Sequence, residues 1–177
     1  MRGSPFLVSG VFLLSLLLSN AGLAQEKSRP VQLSLFNPIQ IFPETDSVGG
    51  VRLSLLYGVN QDVIGVDLGL VGVTRGDGTG ISWNLVGMVE GDFSGWQHGG
   101  VCVAKGRFVG LQSSFVNNAF DGEGIQLGLV NVTDNFKGLQ VALVNVTAGM
   151  EGLQIGLINI IKNKEKLPVL PLVNWSF

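Results

Sequence analysis

The feature that most constrains this chain is an internal repeat of 14 to 15 residues. It is clearest near the end, in Gly124-Ile-Gln-Leu-Gly-Leu-Val-Asn-Val-Thr, Gly138-Leu-Gln-Val-Ala-Leu-Val-Asn-Val-Thr and Gly152-Leu-Gln-Ile-Gly-Leu-Ile-Asn-Ile-Ile. Gly110 opens a weaker copy, and the frame continues backwards through Gly95, Gly80, Gly65 and Gly50. Counting each glycine as position 1, the third position is polar in all eight units: Arg52, Asp67, Ser82, Gln97, Gln112, Gln126, Gln140 and Gln154. A period of this length is the signature of a repeat architecture.

Each unit reads as a strand. Positions 2, 4 and 6 are apolar, which is a period of two, and the residues at 7 and 9 are mostly β-branched. Position 12 is Gly or Asn in six of the eight units, the residue needed where a tight turn passes through the left-handed region. Strand, tight turn and strand predict antiparallel neighbours, with position 9 pairing with 13 and position 6 with position 2 of the next unit. Flanking segments at 31–42 and 168–177 raise the total to about ten strands. The expected fold is therefore all-β: an up-and-down meander closing into a barrel, since closure removes exposed edges. A parallel β-solenoid with one coil per repeat is the alternative. It also stacks Gln on Gln and Leu on Leu, but positions 10 to 14 look turn-like rather than like a second strand.

Residues 1–24 read as a secretory signal, with Arg2 before an apolar run from Phe6 to Leu18 and a small-residue site ending at Ala24. This leaves 25–177 as a single repeat domain. One cysteine, Cys102, rules out an internal disulfide, and a formal net charge of −2 argues against nucleic acid as a partner. Charged residues make up 14% of the chain, against about 25% in ordinary soluble domains. An exported domain with so few charges is expected to have a face that meets something other than water.

Positions 2, 4 and 6 form an apolar face, and the opposite face carries Gly, the polar row and small residues. In a membrane barrel the leucines would face lipid and the row from Arg52 to Gln154 would line a narrow lumen. Strands of about 11 residues and the terminal Trp175-Ser-Phe177 favour that reading. Asn131, Asn145 and Asn159, which cut the leucine belt short, oppose it. In a soluble exported module, the leucines would form a core and the Gln-rich face a binding surface.

The unit Gly152-Leu-Gln-Ile-Gly-Leu-Ile-Asn-Ile and the closing Leu167-Pro-Val-Leu-Pro-Leu-Val-Asn-Trp-Ser-Phe resemble the surface-repeat proteins of spirochaetes and other Gram-negative bacteria. The resemblance spans most of the domain and is weakest from Gly80 to Gly110. It implies a cell-surface or outer-membrane setting, with the lipid bilayer as partner, and brings no catalytic residues.

No catalytic, cofactor or metal site is expected. His98 and Cys102, each the sole residue of its kind, would share a strand face, but two ligands do not make a metal site. Arg52 and Asp67 fall at the same position of adjacent units and could pair and fix register. Asp77-Gly78 and Asp121-Gly122 read as turns. The sequons at Asn131, Asn145 and Asn174 are by-products of the repeat and the terminus.

Overall fold

Successive repeats stack with their glycines in line. Gly65 pairs with Gly80, Asp67 with Ser82 and Val73 with Met88, all in parallel strands displaced by one whole repeat. The computed structural model describes residues 28–177; the signal segment expected at 1–24 lies outside the described residues. It shows β1 (Ser28–Phe36), β2 (Ile39–Gln40), β3 (Ser47–Asn60), β4 (Val63–Thr74), β5 (Gly78–Val89), β6 (Phe93–Leu127), β7 (Val130–Val141), β8 (Val144–Ile161) and β9 (Val169–Ser176). The pairings from β1–β3 to β7–β8 are parallel, and antiparallel pairing occurs only at the two ends, in β1–β2 and β8–β9. The expected antiparallel barrel is therefore not formed. The chain is a parallel β-solenoid of about nine turns.

The physical reason lies in a corner that strict alternation hides. Leu129 and Val130, at positions 6 and 7, both reach the surface, and the next residue, Asn131, turns fully inward. Two consecutive outward residues bend the chain and reset the parity, so one unit carries two inward-facing stretches instead of one. The segment taken as a turn completes the coil. Its inward position holds Val63, Phe93, Phe108 and Phe136, all buried. At the corner around position 12 the backbone continues to stack, with the Gly91 N–H donating to the Gly76 carbonyl and the Gly106 N–H to the Gly91 carbonyl, each at 3.0 Å.

The repeating glycine answers to this close stacking. Gly138 has φ of 131°, and a Cβ there would lie 2.1 Å from the carbonyl oxygen of Gly124. That region of backbone space is essentially closed to other residues, and the neighbouring rung blocks the space as well.

Both ends of the interior are closed. At the start, Gln32 Nε2 and Gln40 Nε2 donate to the Phe42 carbonyl, and Gln32 Oε1 accepts the Phe42 N–H. At the end, β9 reverses and lies antiparallel on β8, placing Asn174 opposite Gln154 and Trp175 opposite Leu153. The closing strand is thus a lid, not a barrel stave. Lys164 Nζ clamps it, donating to Asn174 Oδ1 and to the Trp175 carbonyl. Pro171 falls where the β8–β9 register shifts, the kind of place where a sheet tolerates proline.

Gly138→Ala is expected to lower unfolding free energy by about 2–3 kcal/mol through positive-φ strain and collision with the rung below. Gly87→Ala, whose added Cβ would meet nothing closer than 3.5 Å, should stay within about 0.5 kcal/mol of the parent. Urea melts of the two variants check this.

Candidate functional site

The polar row from Arg52 to Gln154 faces inward along its whole length. Arg52, Gln97, Gln112, Gln126, Gln140 and Gln154 have no solvent exposure, and Asp67 and Ser82 have only 5% and 6%. The row is a column in a packed interior and presents no outward binding face.

Its chemistry is structural. From Gln112 to Gln154, each glutamine donates through Nε2 to Oε1 of the glutamine one rung earlier, at 2.6–2.9 Å. Gln97 Nε2 and Gln154 Oε1, the two ends of this run, have no partner. At the other end of the solenoid a buried ion pair replaces the amides. Arg52 grips Asp67 through two bonds of 2.7 and 2.8 Å, and it donates two more, to the Val73 carbonyl and Thr74 Oγ1. Ser82 Oγ and Asn84 Nδ2 also donate to Asp67 Oδ2. A buried pair is tolerable only when its partners are satisfied to this degree.

A second column escaped the sequence reading. Asn117, Asn131 and Asn145 each donate through Nδ2 to Oδ1 of the asparagine one rung later, at 2.8–2.9 Å. Asn131, Asn145 and Asn159 were read as interruptions of the leucine belt; they point away from it. Their recurrence every 14 residues, as regular as the glutamines, was the available signal. The sequon residues Asn131, Asn145 and Asn174 are fully buried, out of reach of a glycosyl donor.

His98 and Cys102 do not share a face, because the corner lies between them. Cys102 is inside at 1% exposure, and burial pushes its thiol up to about 11, against a smaller opposing effect from a hydrogen bond with Ser114. His98 is on the outer surface. There the Trp96 indole N–H donates to Ser113 Oγ at 2.8 Å, and the same oxygen lies 2.9 Å from His98 Nδ1. The serine hydroxyl, with one hydrogen and a second lone pair left, can donate to Nδ1 or accept from it according to the tautomer of the ring. The Trp83 ring meets the His98 ring edge-to-face at 4.9 Å.

The outside of the solenoid divides by position. Wall A carries positions 2, 4 and 6 and wall B positions 7 and 9; wall C carries positions 11 to 14. Between Gly50 and Asn163 every charged residue other than the buried Arg52 and Asp67 lies on wall C. There, ion pairs join rung to rung, as in Lys105–Glu90, Arg107–Glu123 and Lys137–Glu151. The Lys105 hydrogen bond draws the Glu90 carboxyl below its ordinary pKa, and Glu151 raises the ammonium of Lys137 in the same way. Aspartates extend the pattern, with Asp62 Oδ1 accepting the Asp77 N–H and Asp77 Oδ1 the Asp92 N–H.

Between Gly50 and Asn163 walls A and B carry no charged side chain; at the last rung the Lys164 ammonium lies 5.0 Å from the Trp175 ring. Wall A runs from Val31, Leu33 and Leu35 of β1 through Leu70, Trp83, Leu85, Phe115, Leu129 and Leu157 to Val173 and Trp175 of β9. Leu129 is 47% exposed, Trp83 54% and Leu157 61%. Where β2 turns away at the first end, Leu33, Leu35, Ile39, Ile41, Leu53 and Leu55 border an apolar concavity of about 460 Å³. About ten rungs at roughly 4.8 Å and five residues at roughly 3.3 Å give wall A a footprint on the order of 700 Å². Apolar patches on monomeric proteins rarely exceed about 300–600 Å². Comparison with family models, with curated proteins and with solved structures finds no match to the chain.

Arg52→Met leaves the Asp67 carboxylate buried without its cation and is expected to cost about 3–5 kcal/mol, read as a lowered urea midpoint. Cys102 should resist a thiol reagent in the folded protein and react at once in denaturant; rapid labelling of the native state would place it on the surface.

Proposed function

We propose that this chain is an exported, non-enzymatic interfacial protein that lies on a lipid surface, the outer membrane of a Gram-negative-type bacterium. In this reading walls A and B rest against the bilayer and wall C stays in water. The observation that carries the proposal is the segregation of charge onto wall C between Gly50 and Asn163. A soluble repeat protein keeps leucines inside and polar residues outside, and this solenoid reverses that order on two of its three walls. At about 25 cal/mol per Å², removing half of the wall A footprint from water would contribute on the order of 9 kcal/mol.

Lying on the membrane fits the geometry better than spanning it. A spanning structure must satisfy every backbone group internally and leave no charged side toward lipid. The single sheet ends in the edge strands β2 and β9 and the third wall is charged, so the arrangement matches an interfacial element with one apolar and one charged side. The signal-like segment and the likeness to bacterial surface-repeat proteins support export to such a surface. The lone histidine is held among Trp83, Trp96 and Ser113 and the lone cysteine is buried, which supports a non-enzymatic role.

Flotation of the purified protein with phospholipid vesicles tests the proposal. The parent should rise with the vesicles. Leu70→Lys/Leu129→Lys, which adds two cations to exposed positions of wall A, should stay at the bottom of the gradient with an unchanged far-ultraviolet circular dichroism spectrum. A parent protein that stays at the bottom, whether as a monomer or as a dimer that covers wall A with a second copy, overturns the lipid reading.

A further inference from the structure

Among the described residues of walls A and B there is one histidine, and it lies at the centre. His98 occupies the middle column of wall A, position 4, in the fifth of about ten rungs. We propose that His98 makes attachment of this wall to lipid pH-dependent: neutral, it permits docking, and protonated, it releases the protein. The inference rests on the lipid reading above and adds a regulation to it.

The groups facing the imidazole are Trp83 of β5, paired in register with it, Trp96 of its own rung and Ser113 of the following rung. None carries charge. The charged side chains of the same stretch, Glu90, Asp92, Lys105 and Arg107, are on wall C, across the polar interior. Among the described residues, no carboxylate is therefore placed to neutralise an imidazolium.

Two effects act in the same direction. Contact with lipid desolvates the ring and disfavours its charged form. Histidine is too short to carry the charge from the centre of the wall to its rim, as a lysine stem could. A bound state that disfavours the charged form has a lowered histidine pKa. Binding is then strongest while the ring is neutral and weakens as acid protonates it.

The test is partition onto phosphatidylcholine vesicles, which carry no net charge, at pH 7.5 and pH 5.0, for the parent and His98→Leu. The parent should lose about tenfold in partition coefficient, equivalent to about 1.4 kcal/mol, and His98→Leu should bind at both pH values with less than twofold change. Nuclear magnetic resonance titration of the His98 ring should show a lower midpoint on vesicles than in solution. Equal partition of the parent at both pH values, an equal loss in both proteins, or an unshifted midpoint would overturn the switch and leave the lipid reading standing. A parent that does not bind at pH 7.5 would overturn both.

Discussion

The structure depends on an amide stacked on its own copy. A glutamine or asparagine inside a protein must find partners for a donor and an acceptor, and leaving one unmade costs about 1–3 kcal/mol. One geometry satisfies a whole column of them: identical side chains placed one rung apart, each donating to the next. That requires parallel strands displaced by one repeat, and it ties Gln97 through Gln154 and Asn117 through Asn159 to a common register. The glutamines donate toward the start of the solenoid and the asparagines toward its end, so the two columns run in opposite senses. The glycine column follows, because rungs stacked this closely leave no room for a Cβ beside Gly124 or Gly138.

Much of this was legible in the sequence, and the part that was not has a definite physical cause. The period, the glycine frame, the strand character and the common orientation of the position-3 row can all be read from residues 50–163. The direction of pairing cannot, because a parallel coil and an antiparallel hairpin can both align Leu with Leu and Gln with Gln. The deciding feature was the pair Leu129–Val130, two outward neighbours at a corner, which strict alternation reads as one inside and one outside. That misreading turned Asn131 into a flaw in the leucine belt and put His98 and Cys102 on one face. The terminal strand, expected as a barrel stave, runs antiparallel on β8 and brings Trp175 opposite Leu153 on the apolar wall.

The polarity of the solenoid follows from the same columns. Once amides, hydroxyls and the Arg52–Asp67 pair fill the interior together with Phe93, Phe108 and Phe136, the leucines have no place inside. They form a wall that repeats at rung spacing, beside a narrower wall of valines. Charge, excluded from the interior except for one satisfied pair, gathers on the third wall, where side chains from successive rungs neutralise one another. Fold and surface chemistry thus have one origin, and the amphipathic exterior is a consequence of the polar core. The sequence feature that bears most directly on function, the scarcity of charge, becomes interpretable only when the coil shows where the few charges go.

Cysteine accessibility at three positions of one rung tests this account most directly. In a Cys102→Ala background, cysteines replace Ala142, Val144 and Val146 one at a time, which leaves every member of the two amide columns in place. A continuous alternating strand puts all three side chains on one face. The corner puts Ala142 inside and Val144 and Val146 outside. The account predicts that a water-soluble maleimide labels the cysteines at 144 and 146 in the native, lipid-free protein and reaches the one at 142 only after denaturation. Uniform labelling, or uniform protection, of all three would contradict it.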